Sequence, residues 1–137
     1  PQRVVGMFAI AADLGTDILT AGMLQFEKGV ASFTCSTQLP RYQSAQILGT
    51  EGRLELPWPF NPEPAEPATL VHQPNGKEAI IIRFPSCNQY SLQVQRMNEA
   101  ILHDRPVPTH LQDALDNMRV IDAMVASRDS GSWVTVK

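Results

Sequence analysis

The sequence has little of what marks several classes of protein. Its 137 residues include only two cysteines, Cys35 and Cys87; two are too few for a disulfide framework, so we expect reduced thiols. It has no apolar run near the ~20 residues that cross a membrane and no clustered basic patch typical of nucleic-acid binding, and we expect no secretory leader. These features predict a cytoplasmic protein with no nucleic-acid or membrane partner.

The composition that is present suits one globular domain. Hydrophobic residues make up 43% of the chain and charged residues 18%, with a net charge of −3, which is a globular rather than a disordered composition. A chain of 137 residues is also long enough to form a single hydrophobic core.

The hydrophobic pattern changes once along the chain. Seven segments up to residue 84 are rich in β-branched residues or alternate apolar and polar side chains, and they predict strands over residues 2–12, 17–26, 30–38, 43–48, 53–56, 69–72 and 78–84. Five prolines fall between Pro57 and Pro67, between two of these segments. Because proline fixes φ and lacks an N–H donor, they predict an extended loop.

Two helices and a last strand follow. The spacings Ser86-x-x-Gln89 and Thr109-x-x-Gln112 predict capping boxes, each followed by an apolar stripe at helical spacing. Gly131 is the expected helix stop, before a strand over 133–136. The order predicts an α+β fold: an open-faced, mostly antiparallel sheet with helices packed on one face.

The stretch Gly49-Thr50-Glu51-Gly52 has to be distinguished from a phosphate-binding loop. Such a loop opens a helix whose free N–H groups face the anion, whereas Gly52 leads into the alternating segment Arg53–Leu56. Glu51 would also repel a phosphate. We therefore predict a hairpin turn in which Gly52 takes a positive φ, and no cofactor-binding residues in this chain.

Other chemistry finds little support in the sequence. The three histidines have no metal-ligand spacing, so no metal site is expected. Cys87 as a nucleophile with His103 or His110 as base is conceivable, but Cys87 in a helix cap is the simpler interpretation. No catalytic residue is assigned.

Two aromatic residues, Trp58 and Phe60, lie in the proline-rich loop. Rigid aromatic residues in a loop often stack on a ligand, so these two are candidate substrate-binding residues; the alternative is that they cover the edge of the sheet. Tyr90 is expected either to face the same cleft or to begin the apolar stripe of the core.

A family resemblance rests on the order of several short motifs. Gly15-Thr16-Asp17, Phe26-Glu27-Lys28-Gly29, the run from Ile47 to Leu54 and Trp58-Pro59-Phe60 are followed by two helical segments, 95–101 and 113–128, and by Val134-Thr135-Val136. Nearly the whole chain resembles the C-terminal domain of the Gfo/Idh/MocA oxidoreductases, the family of glucose-fructose oxidoreductase, inositol dehydrogenase and dimeric dihydrodiol dehydrogenase.

The resemblance implies a division of labour between two domains. In that family an N-terminal Rossmann domain binds NAD or NADP. Its glycine fingerprint and a Glu-Lys-Pro motif with the catalytic lysine precede the C-terminal domain, and neither motif is found here. We therefore expect residues 1–137 to form a single C-terminal α/β domain, without the Rossmann domain, that is inactive alone. The resemblance also implies that Trp58, Phe60 and Tyr90 line the substrate cleft.

The strands carry apolar residues on both faces, yet only two helices are available to cover them. Since soluble monomers avoid large exposed apolar patches, we expect the open face to form a homodimer. The sequence thus predicts the substrate-binding and dimerisation domain of an NAD(P)-dependent oxidoreductase acting on a sugar, polyol or related alcohol or carbonyl. The alternative is a free-standing α+β self-association module without enzymatic activity.

Overall fold

The computed structural model describes all residues from Pro1 to Lys137. Its elements, in chain order, are β1 (Arg3–Ile10), β2 (Asp17–Phe26), β3 (Gly29–Ser36), β4 (Ala45–Gly49), β5 (Gly52–Leu56), β6 (Ala68–Pro74), β7 (Ile80–Phe84), α1 (Gln89–Leu102), α2 (Leu111–Ser130) and β8 (Val134–Thr135). The α+β class is confirmed. The strands form two four-stranded antiparallel sheets, where the sequence suggested a single sheet.

The first unit comprises residues 1–40 and 109–137. Its sheet has the order β3-β2-β1-β8, and α2 lies across β1. A small core of Val4, Ala123 and Met124 lies between them, with partly buried neighbours packed against it: Phe8, Leu24, Val120, Val134 and Val136. The expectation of a helix on one sheet face is confirmed for α2.

Two glycines let α2 approach this sheet. Gly6 of β1 lies opposite Gly22 of β2, and a Cβ added at either would overlap the methyl end of Met124. The pair therefore forms a notch that holds the Met124 side chain. Because side chains alternate along a strand, the residues on either side of these glycines face away from α2: Val5, Met7, Ala21 and Met23.

The second unit comprises residues 41–108. Its sheet has the order β4-β5-β6-β7, and the registers place apolar residues of all four strands on one face: Ile47, Leu54, Leu70, Ile80 and Ile82. Ile80 remains 52% exposed, so this face is not covered within the chain. The helix α1 has no contact with the strands of this unit comparable to that of α2 with β1.

Both predicted capping boxes are wrong. The N-cap of α1 is Asn88, whose side chain accepts a hydrogen bond from the Ser91 N–H at 3.1 Å. The N-cap of α2 is His110, which makes no side-chain capping bond. Asparagine at the N-cap needs no downstream glutamine, which explains why the four-residue spacing misplaced the start of α1. The helix stop at Gly131 is confirmed, with φ 63°.

Neither helix combines the length and apolar character that a membrane crossing requires.

Candidate substrate-binding site

The Gly49–Gly52 stretch is a hairpin turn, as predicted. Gly49 lies opposite Gly52, where β4 turns into β5, and Gly52 has φ 154°. Asn75 ties this turn to the next hairpin: its N–H donates to the Glu51 carbonyl at 3.0 Å and its amide Nδ2 to the Thr50 carbonyl at 2.7 Å. A strand rather than a helix follows, so these residues do not fit the strand–loop–helix cradle of a dinucleotide phosphate.

The proline-rich loop after β5 has a defined conformation set by side-chain hydrogen bonds. Trp58 is half-buried, and its indole Nε1 donates to the Asn61 carbonyl at 2.7 Å. Gln43, which precedes β4, donates through Nε2 to the Asn61 side chain and accepts from the Phe60 N–H at 3.4 Å. The loop is thus held to the segment before β4 rather than left to proline stiffness alone.

Phe60 projects from this braced loop. Its side chain is 77% exposed although its backbone is hydrogen-bonded. A large apolar ring held in water by a fixed backbone is suited to stacking on another molecule. Trp58 and Phe60 therefore share one loop, as the sequence implied, and the suggestion that they bind substrate stays a prediction.

Tyr90 lies on a different element. It is the second residue of α1, is 61% exposed, and lines a shallow open groove along that helix with Ser91, Val94 and Gln95. It does not begin a buried stripe, since Ala100 is the one buried residue of α1. The structure records no hydrogen bond between Tyr90 and the Trp58–Phe60 loop.

Three residues of the loop cluster were missed by sequence reasoning: Arg41, Gln43 and Asn61. The Cζ atom of Arg41 lies 5.2 Å from the centre of the Trp58 ring, and its Nη2 is 3.6 Å from a carboxylate oxygen of Glu63. These contacts join segments about twenty residues apart, so no local spacing signals them. A polar pair just before a strand, Arg41 and Gln43, was the only available hint.

The structure separates Cys87 from His103, one of its two candidate bases, while its pairing with His110 stays a prediction. Cys87 precedes α1 and His103 is its C-cap, so a helix of about 20 Å separates them and this pairing of nucleophile and base is wrong. Cys35 and Cys87 are exposed and unpaired. No group of three or more histidine, cysteine or acidic side chains is placed to hold a metal ion.

The perturbed carboxyl groups lie on α2. A hydrogen bond from Gln112, together with Arg119, lowers the pKa of Asp116 below its ordinary value, and a hydrogen bond from Arg128 lowers the pKa of Asp129. Both carboxyl groups are exposed. Asp116 accepts hydrogen bonds from Gln112 and Arg119, four residues before it and three after it, and Asp129 accepts one from the adjacent Arg128. They are surface interactions of a helix rather than a catalytic pair.

Comparison with protein families gives one match that spans the chain. Residues 12–136 match the model of the C-terminal alpha/beta domain of an oxidoreductase family, Gfo/Idh/MocA.

Two curated relatives match over almost the same length. The chain is 33% identical to an uncharacterized oxidoreductase of Rhizobium meliloti and 27% identical to a D-xylose 1-dehydrogenase (NADP(+)) of Haloferax volcanii. These alignments cover 99% and 98% of the chain but only 42% and 41% of the relatives. The chain therefore spans about two fifths of the length of each relative.

Solved structures show the same fold at lower identity. An aldose-aldose oxidoreductase of Caulobacter crescentus, complexed with glycerol, superposes with a TM-score of 0.80 at 19% identity, over 98% of this chain and 41% of its own. A 3-ketoreductase of Actinomadura kijaniata in complex with NADP gives 0.81 at 17% identity, over 92% and 40%.

Proposed function

This chain belongs to the Gfo/Idh/MocA oxidoreductase family, of which it is a C-terminal α/β domain, and from that premise we propose that it is the substrate-binding and dimerisation domain of an NAD(P)-dependent oxidoreductase. The substrate is a sugar, a polyol or a related alcohol or carbonyl compound. The match over residues 12–136 carries the proposal, and the relative named as a D-xylose 1-dehydrogenase (NADP(+)) supports the substrate class and the cofactor.

The cofactor belongs to the remainder of the parent protein. The strand-to-strand turn at Gly49–Gly52 does not fit a dinucleotide, so NAD or NADP would be held outside these residues, where it supplies hydride transfer. What this chain contributes is a surface that binds and orients the substrate. We assign that role to Trp58 and Phe60, with Tyr90 as a further contact from α1.

The first partner we propose is an N-terminal Rossmann domain of the same parent. The helix α1 supports this, because its apolar stripe is exposed: Tyr90 is 61%, Val94 60% and Ile101 66% exposed. A helix of 14 residues with one buried side chain is only marginally stable by itself. A covering surface supplied by the rest of the protein would stabilise it.

The second partner we propose is another copy of the same chain. The first sheet carries α2 on one face only, and Met7 on the opposite face is 73% exposed. The same surface would serve a self-association module without enzymatic activity, which is the alternative function.

Turnover by the full-length protein tests the proposal. We expect a panel of aldoses and polyols to change NAD(P)H absorbance with the full-length protein, and residues 1–137 alone to give no turnover. Trp58→Ala should lower kcat/KM, whereas Phe26→Ala, an aromatic residue of the other unit that is 42% exposed, should leave it unchanged. Self-association without NAD(P)-dependent turnover of any of these substrates would instead favour the module.

A further inference from the structure

Three arginines of this protein stack on aromatic rings. In two of these arginines the guanidinium also donates a short hydrogen bond to a neighbouring side chain. Arg3 lies over Trp133 and its Nε donates to the Gln25 side chain at 2.6 Å. Arg128 lies over Phe8 and its Nε donates to a carboxylate oxygen of Asp129 at 2.7 Å. In both, stacking and hydrogen bonding together fix a structural arginine.

Arg41 differs from both. Its Cζ is 5.2 Å from the centre of the Trp58 ring, but its nearest carboxylate oxygen, on Glu63, is 3.6 Å away. That separation is an ion pair and exceeds the length of a normal N–H···O hydrogen bond. A guanidinium carries five N–H donors in a flat fork, so Arg41 presents most of its hydrogen-bonding edge to solvent.

The ring under Arg41 is held in place. The Trp58 indole donates to the Asn61 carbonyl at 2.7 Å, and Gln43 bonds both the Asn61 side chain and the Phe60 N–H. A guanidinium stacked on a fixed ring is partly pre-organised, so less rotamer entropy is lost when it binds a ligand.

Glu63 is a replaceable partner. The side chains of Arg41 and Glu63 are 60% and 65% exposed, and ion pairs at such positions contribute little to stability. A carboxylate or phosphate that approaches the fork edge-on can make two parallel charge-assisted hydrogen bonds. Such an anion would exchange a loose contact for a stronger one.

We propose that Arg41 is a specificity-determining residue that binds an anionic group of the substrate, so that the parent enzyme acts on an acidic sugar or polyol, either a sugar acid or a sugar phosphate. The inference rests on the proposed function, because it places the anion beside the Trp58–Phe60 loop to which that function assigns substrate binding. In the absence of substrate the Arg41 guanidinium keeps only its 3.6 Å ion pair with Glu63.

Kinetics of the full-length protein provide the first test. Glucose, glucuronate and glucose 6-phosphate are compared with NAD(P) as cofactor, the two anions separating the carboxylate from the phosphate source. Arg41→Met keeps an unbranched stem over Trp58 but removes the charge, and it should lower kcat/KM for the preferred anion by about ten- to hundredfold. It should change kcat/KM for glucose less than about twofold, since a charged hydrogen bond is lost only with the anion.

Matched variants separate recognition from folding. Glu63→Gln removes the competing carboxylate and should lower KM for the anion. Arg41→Lys keeps the charge but not the fork and should retain part of the preference. Arg3→Met removes one of the two stacked arginines of the other unit and should leave the anion preference unchanged.

Binding is also measured without turnover, through the Trp58 indole N–H resonance during titration with glucuronate or glucose 6-phosphate. A shift with one anion that is absent in Arg41→Met supports the proposal. No shift with either anion overturns it, as does an equal loss of kcat/KM for glucose and both anions in Arg41→Met. Turnover of neutral sugars alone would support the proposed function and refute the anion site. An Arg41-dependent shift without any turnover would support the anion site and refute the proposed function.

Discussion

Gly52 lies close to the backbone of a neighbouring strand. It has φ 154°, and a Cβ there would overlap the Gln73 carbonyl oxygen and lie 2.9 Å from the Pro74 Cα. These neighbours are backbone atoms of β6, which cannot rotate away. The requirement for glycine at this turn was predicted from the sequence, but the cross-strand contact that enforces it was not.

Gly52→Ala should therefore destabilise the protein by about 1–3 kcal/mol, the range for a residue forced into a sparsely populated backbone region. The measurement is the free energy of unfolding in urea. Gly29→Ala is the control, because a Cβ at Gly29 meets nothing within 4 Å. Equal stability of the two variants would show that β5 and β6 separate without cost.

The Ser127 side chain takes the place of a backbone pairing between β1 and β8 that the first sheet lacks. The register that pairs Arg3 with Thr135 and Val4 with Val134 would place Ser132 opposite Gly6, but β8 begins only at Val134. The buried Ser127 hydroxyl bridges this gap: it accepts from the Gly6 N–H at 3.0 Å and donates to the Ser132 carbonyl at 2.7 Å.

Ser127→Ala should cost about 1–3 kcal/mol in the free energy of unfolding, because it leaves a buried backbone N–H without a partner. Ser130→Ala on the exposed side of the same helix is the matched control and should have a smaller effect. If the two variants unfold at the same urea concentration, water has taken the place of the hydroxyl.

The helices show where sequence patterns succeed and fail at the scale of an element. Apolar periodicity located both helices, and Gly131 marked the end of α2, because a left-handed C-terminal residue is a local requirement. The start of α1 was misplaced because Ser86 and Asn88 are both compatible with an N-cap. Only the backbone shows that Asn88 has the extended conformation of an N-cap, with φ −90° and ψ 102°.

Asn88→Ala should lower the opening free energy of the first turn of α1 by about 1 kcal/mol, the usual value for loss of a side-chain cap. Amide hydrogen exchange of the α1 N–H groups measures this directly. Ser86→Ala, which removes the residue first expected to cap the helix, should leave these exchange rates unchanged. The opposite pattern would restore the capping-box interpretation.

The sheets were predicted strand by strand, but their grouping was not. Alternation and β-branched residues located the strands because each signal lies within a few neighbouring residues. The division into β3-β2-β1-β8 and β4-β5-β6-β7 depends on long-range pairing. The same holds for the candidate site. Trp58 and Phe60 could be predicted from the sequence as aromatic residues of a loop, whereas the contacts of Arg41 and Gln43 that fix this loop join distant segments and form only on folding.

At the scale of the whole molecule, the first sheet has unequal faces. One face receives Met124 of α2 at the Gly6–Gly22 notch. The other carries Met7, which is 73% exposed, and Met23, which is 44% exposed, at the centre of adjacent strands. A contiguous apolar surface of this kind is typical of a protein–protein interface, and a two-fold dimer would cover it with one self-complementary contact.

Met7→Glu should therefore convert a dimer of the full-length protein to a monomer. A carboxylate buried in the interface without a partner is costly, and a two-fold axis would bury one from each chain. Sedimentation at micromolar concentration measures the change, and we expect the dimer dissociation constant to rise at least about tenfold, or 1.4 kcal/mol. Leu14→Glu introduces the same charge at a residue that is 69% exposed but lies in the turn before β2, so this variant should remain dimeric. A wild-type monomer would remove the dimer from the proposed function, and a dimer that tolerates Met7→Glu would place the interface on another surface.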